Sequence, residues 1–186
     1  MLKMLIVLIV GYCATTSTWG KPMLIDDFDG KPEKRWSYIS DQVMGGISQG
    51  TLTFEDKENI PLARLTGTVS TVNNGGFIQF RTNLHNINTK SVSGIYINVK
   101  GNNQKYYLHL RTKGTLLPWQ YYQAEFDVNE NWRIIKLPLE NFVASSGWIR
   151  KNVKSASIKS IGVVAFGRDH IADISVSEIG FYYVDL

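Results

Sequence analysis

Gly94-Ile95-Tyr96-Ile97-Asn98-Val99-Lys100-Gly101-Asn102-Asn103-Gln104-Lys105-Tyr106-Tyr107-Leu108-His109-Leu110-Arg111-Thr112 is the stretch that decides the fold. Ile95, Ile97 and Val99 recur at every second position, with Tyr96 and Asn98 between them. Tyr106, Leu108 and Leu110 then alternate with Tyr107, His109 and Arg111. A period of two belongs to an extended chain whose side chains face opposite ways, whereas a helix needs apolar positions three and four apart. Gly101-Asn102-Asn103-Gln104 reads as a hairpin-like connection between two half-buried strands.

The same rhythm extends in both directions. Residues 120–127 set Tyr122, Ala124 and Phe126 against Tyr121, Gln123 and Glu125. Residues 132–137 form a further strand that Pro138 stops, with one helical turn expected over residues 139–142. Residues 158–166 are almost wholly apolar, and residues 174–184 are expected to close the sheet. Upstream, residues 76–82, 62–69, 51–55 and 23–28 read as strands, with a charged turn over residues 56–59 and a turn signal at Asp29-Gly30. Ten or eleven short strands without a long helix predict an all-β protein. One apolar face per strand means sheets packed face to face, so the expected fold is a jelly-roll β-sandwich.

Composition narrows the classes of function. A chain of 186 residues with 44% hydrophobic residues is long enough to bury one core without cross-links. The net charge of +4 is spread along the chain, which argues against a nucleic-acid footprint. Cys13 is the single cysteine, so neither a disulfide framework nor a zinc–thiolate site is expected. It lies in an N-terminal segment with Lys3, an apolar run from Leu5 to Val10, and small polar residues 14–18. That run is too short to span a bilayer and reads as a signal peptide over residues 1–20, leaving a mature domain over residues 21–186 without a transmembrane segment. The expected location is therefore periplasmic or secreted. Tyr12 before Cys13 does not suit a lipoprotein site.

Enzyme signatures fail in turn. His85, His109 and His170 form no metal-binding pair, and there is no G-x-S-x-G elbow or phosphate-binding glycine loop. Asp26, Asp27 and Asp29 lack the spacing of a calcium loop and read as turn formers. No catalytic residue, metal or cofactor is expected. Strands 76–82, 105–112 and 120–127, if they share a sheet, gather Gln79, Arg81, Tyr107, His109, Arg111, Tyr121 and Gln123 on one outer face. Such a set suits planar polar ligands, or serves as an ordinary solvated face. Trp119 beside Pro118, and Trp148 after Ser145-Ser146-Gly147, are either contact residues or lids on the core.

Two double-glycine motifs stand out: Ser40-Asp41-Gln42-Val43-Met44-Gly45-Gly46-Ile47-Ser48, and Asn74-Gly75-Gly76-Phe77-Ile78-Gln79-Phe80-Arg81. Paired glycines mark positive φ or close approach. An Asp41–Arg81 ion pair pinning the two turns is the expected arrangement, ahead of direct contact with a ligand, and Met44 is expected in the core ahead of a role as a contact residue. The first motif resembles the D-x-V-M-G-G-x-S signature of the complex I intermediate-associated protein 30 (CIA30) family, and the second resembles its N-G-G-F signature ending in Arg. The similarity runs from about Leu24 to Tyr183, through Gly94-Ile95, residues 106–111, residues 122–126, Trp132, Leu137-Pro138 and Phe142.

The resemblance implies a galactose-binding-domain-like jelly roll and a non-enzymatic role, since mitochondrial members are chaperone-like factors in NADH:ubiquinone oxidoreductase assembly. It makes Asp41, Met44, Gly45, Gly46, Ser48, Asn74, Gly75, Gly76, Phe77 and Arg81 the candidate binding positions of the family motif. The export signal departs from the mitochondrial members. Two readings follow: an assembly-factor or chaperone-type module with a protein partner in a respiratory complex or the envelope, or an exported carbohydrate-binding module that takes a polysaccharide on the aromatic and arginine face.

Overall fold

A computed structural model of the chain describes residues 22–85 and 87–184. The expected signal peptide over residues 1–20 and Cys13 lie outside the described residues. Within them the chain forms twelve strands: β1 (Met23–Asp26), β2 (Ser37–Ser40), β3 (Gln49–Lys57), β4 (Ile60–Val69), β5 (Phe77–Asn83), β6 (Gly94–Gly101), β7 (Lys105–Thr112), β8 (Tyr122–Asp127), β9 (Arg133–Pro138), β10 (Val143–Ala144), β11 (Ile158–Phe166) and β12 (His170–Tyr182). The helical pieces among the described residues are short 3-10 turns, including Asp41–Met44 and Leu139–Asn141. The all-β expectation holds.

Two six-stranded antiparallel sheets face each other. One runs β3-β4-β12-β6-β9, with β1 added alongside β12; the other runs β10-β8-β7-β11-β5-β2. Between them lie the inward positions of every central strand, among them Leu65, Ile97, Ile174 and Phe181 from the first sheet and Ile78, Phe80, Tyr106, Leu108 and Val163 from the second, all buried. Burial of this alternating set supplies most of the driving force, at roughly 25 cal/mol for each Å² of apolar surface.

Three expectations need correcting. Gly101–Gln104 is no hairpin, because β6 and β7 belong to different sheets and the loop crosses from one layer to the other. The last strand does not close a sheet: β12 lies in the middle of its own, between β4 and β6. It is buried on both faces through Val176 and Ser177, and only a central position accommodates that. The pattern also passes over β2 and β10, whose four and two residues are too short to display a period.

Asp26 is the other anchor of the fold. Its buried carboxylate accepts Arg35 Nε at 2.7 Å, Arg35 Nη2 at 2.9 Å, Trp36 Nε1 at 2.8 Å and the Phe28 amide at 2.7 Å. Phe28 stands at φ +61°, a conformation an L-residue adopts at a cost. The amide bond to Asp26 and the ring's place between Trp36 (5.4 Å) and Phe80 (6.4 Å) hold it there.

Candidate functional site

The two glycine motifs meet around one carboxylate. Asp41 is fully buried, and Oδ1 accepts the Ser48 amide at 3.0 Å. Oδ2 accepts the Ser48 hydroxyl, the Gly76 amide at 2.6 Å and the Phe77 amide at 3.2 Å. Each motif divides its glycines between two tasks. Gly45 (φ +89°) and Gly76 (φ +127°) take backbone conformations that side chains resist. Gly46 and Gly75 lie against the carboxylate itself: a Cβ would sit 2.3 Å from Asp41 Cγ at Gly46 and 2.5 Å from Oδ2 at Gly75.

Burial by itself would raise the Asp41 carboxyl, but the hydrogen bonds from Ser48, Gly76 and Phe77 outweigh it and hold the group below the usual carboxylate range. Gly46→Ala is expected to cost about 2 kcal/mol or more by overpacking, read as a lowered thermal midpoint. Gly147→Ala, where a Cβ meets nothing within 4 Å, is the control.

The expected Asp41–Arg81 pair does not form. Asp41 is saturated by backbone and hydroxyl donors, while Arg81 projects from the outer face of β5 opposite Gly162 of β11. Asp41 and Ser48 are therefore parts of the clasp, and Asp41 joins the two turns without Arg81. Met44 is also not in the core. It is 59% exposed, and Val43 beside it 74% exposed, because the turn that wraps Asp41 throws both side chains outward.

Above the clasp opens a cleft of about 590 Å³ on the outer face of the second sheet. The strands expected to share a sheet do so, but β11 runs between β5 and β7. Register then fixes the floor. Arg81 and His109 both pair with Gly162, Gln79 and Tyr107 both pair with Val164, and Phe77 pairs with Phe166. Gly162 contributes no side chain and the Gln79 amide leans over it, so the trough runs between Arg81 on one side and His109 and Arg111 on the other. This is no ordinary solvated face, since outward-pointing Val164 is completely buried.

Tyr121 stacks on His109 at 4.1 Å and 13°, and Phe166 meets His109 edge-on at 5.4 Å. Burial pushes the His109 imidazole down to about 3, so it stays neutral at physiological pH. The loop carrying Pro118 and Trp119 forms one wall. It is pinned by Arg111 Nη2, which donates to the Thr115 and Leu117 carbonyls at 3.2 and 2.9 Å, and by Gln120 Oε1, which accepts the Leu116 and Leu117 amides. Trp119 is 61% exposed beside the cleft and Trp148 92% exposed, so neither is a lid on the core.

Met44, Asn74, Gly75 and Phe77 form the opposite wall, and Asn73 Nδ2 ties the two turns by donating to the Gly45 carbonyl at 3.3 Å. Of the expected face, Tyr107 and Gln123 lie off the cleft: the Tyr107 hydroxyl donates to Glu125 Oε2 at 3.0 Å, and Gln123 pairs with His109. Ile39, Ser145 and Phe166 line the cleft without having been singled out. Phe166 was hidden in an apolar run whose two faces only the register separates. Among the described residues no three His, Cys, Asp or Glu side chains gather to hold a metal ion, and no helix is long and apolar enough to cross a membrane.

The stacked antiparallel sheets define a jelly-roll β-sandwich with a cleft on one outer face. The chain is similar to the family 11 carbohydrate-binding module of the cellulosomal cellulase Lic26A-Cel5E of Clostridium thermocellum (TM-score 0.72, 13% identity, 89% of this chain and 96% of that one). It resembles the family 11 module from Clostridium thermocellum in complex with a β-1,3-1,4-mixed-linked tetrasaccharide to the same degree (TM-score 0.71, 13% identity, 88% and 96% covered). A family 30 carbohydrate-binding module is also similar (TM-score 0.56, 15% identity, 91% and 87% covered). At such identities the likeness is one of fold. By sequence, residues 26–173 match Complex I intermediate-associated protein 30 (CIA30), and the chain belongs to that family. No curated protein matches it.

Proposed function

We propose that this CIA30 protein is an exported, non-enzymatic binding module of assembly-factor or chaperone type, which holds a segment of a partner protein in the cleft above the Asp41 clasp. One observation carries the reading: exposed Val43, Met44 and Trp119 surround a cleft whose floor and walls are already pinned by the fold. Exposed aliphatic groups at a concave site suit the side chains of a protein partner. They serve a sugar poorly, because they offer its hydroxyls no hydrogen bonds in return for lost water. The family membership points the same way.

Filling the trough tests this. A Cβ at Gly162 would meet the flexible Gln79 amide at 3.0 Å and the Phe80 carbonyl at 3.4 Å, so Gly162→Leu is expected to push the cleft-lining Gln79 side chain out of place. A partner that the tagged full chain captures from the host envelope should be lost with Gly162→Leu at an unchanged thermal midpoint. Undiminished recovery would refute the cleft as the seat.

The second reading, an oligosaccharide ligand, is supported by the exposed Trp119 ring beside Tyr121 and by the sugar-bound family 11 module of similar fold. Binding on a glycan array that disappears in Trp119→Ala would favour it over the first.

A further inference from the structure

Resting on that reading of the cleft, we infer that the bound partner segment is acidic, docking a carboxylate on Arg81 with Arg111 as the supporting charge, and laying an apolar side chain against Trp119. The lining contains two arginines and no aspartate or glutamate. Neither arginine forms an ion pair among the described residues. The nearby Asp41 carboxylate lies under Gly75, committed to Ser48, Gly76 and Phe77, and neutralises neither.

A half-buried guanidinium without a counter-ion is an unfavourable arrangement in the free protein, and an arriving anion relieves it. The charge of Arg111 adds to this, since burial and then Arg111 pull the Arg81 guanidinium below its ordinary value. The two arginines differ in readiness. Arg111 has Nη2 occupied by the Thr115 and Leu117 carbonyls, which fixes its position. Arg81 has no hydrogen bond among the described residues, so its whole fork is open to a bidentate carboxylate.

The sheet sets the spacing. β5 and β7 flank β11, so their backbones lie two strand spacings apart, about 10 Å. Gly162, between Arg81 and His109, puts no side chain of its own into that gap, and only the flexible Gln79 amide leans over it among the described residues. His109 stays neutral, so among the described residues that line the cleft the two guanidiniums are the only charges. The aliphatic rim decides the source of the carboxylate. Val43 and Met44 match the apolar neighbours of an acidic residue in a protein chain better than the hydroxyls of a uronic sugar.

The test uses the full chain and three fluorescein-labelled probes in fluorescence anisotropy: a peptide alternating Glu with Leu and Phe, the same peptide with Gln for Glu, and an oligogalacturonate. The Glu peptide is expected to bind about 10- to 100-fold more tightly than the Gln peptide. That preference should shrink with added salt and vanish in Arg81→Gln. Arg81→Lys should retain part of it, and the thermal midpoint of Arg81→Gln should stay near that of the wild type.

Equal affinity for the two peptides, an Arg81→Gln variant that still prefers Glu, or no binding by any probe would overturn the inference. Oligogalacturonate binding in place of the peptide would overturn the protein source of the carboxylate. If both peptides bind alike and both are lost in Gly162→Leu, the acidic ligand fails while the cleft stands. If Gly162→Leu weakens nothing, the cleft itself is wrong.

Discussion

Replacing Asp41 with alanine is expected to destabilise the protein by about 4 kcal/mol, lowering the thermal midpoint by roughly 10 °C. Three backbone amides and the Ser48 hydroxyl lose their shared acceptor at once, in a place water reaches poorly. Each buried donor left unpaired costs about 1–3 kcal/mol. The isosteric Asp41→Asn should be nearly as damaging, because one edge of the amide presents hydrogens to amides that also donate. A wild-type melt for Asp41→Asn would show that shape, not charge, holds the clasp.

Acid follows the same logic. A carboxyl held below its unfolded value contributes stability that is fully present above that unfolded value, near 4, and is lost as pH falls through the folded one. Thermal midpoints should therefore be flat with respect to this group at neutral pH and drop below about pH 4. Asp26 shifts in the same direction: burial opposes the shift, and the bonds from Arg35, Trp36 and Phe28 overcome it.

Asp26→Ala is the second large expectation, at about 3 kcal/mol. It strands the buried Trp36 indole N–H, removes the partner of the Arg35 fork and releases the Phe28 amide that helps to hold φ +61°. The reporter is specific, since Trp36 packs at 5.2 Å from Phe80 and its near-ultraviolet circular dichroism should weaken before the far-ultraviolet strand signal does. Arg35→Ala should cost less, because the Trp36 and Phe28 bonds to Asp26 survive it. Equal losses for Arg35→Ala and Asp26→Ala would mean that the ion pair, not the indole bond, carries the corner.

The clasp and the cleft were legible to different depths. A nearly unbroken apolar run places β11 over Ile158–Phe166, and alternation places β7 over Lys105–Thr112, both with the bounds the structure has. Alternation does so because burying one face of a strand imposes a period of two whatever the partner strand is. The glycine pairs announced tight backbone, and Asp41 was marked as the residue joining them. An acid and an arginine in neighbouring motifs suggest an ion pair, yet three backbone amides, which carry no sequence label, and the Ser48 hydroxyl occupy the carboxylate. Met44 was misjudged for a related reason, since a methionine between Val43 and Gly45 looks apolar enough for a core until the turn around Asp41 points it outward.

By itself the sequence determined the all-β class, the positions of the longer strands, the two glycine corners and kinship with the CIA30 family, because each is written in residues near one another along the chain. The tertiary structure alone decided that β11 enters between β5 and β7, that Gly162 thereby separates Arg81 from His109, and that the link after β6 changes sheets. Those facts depend on pairings between segments some fifty to eighty residues apart, as in Gly162 with Arg81 and with His109. Strand order comes from how the whole set of apolar faces is best buried together, which no single segment encodes.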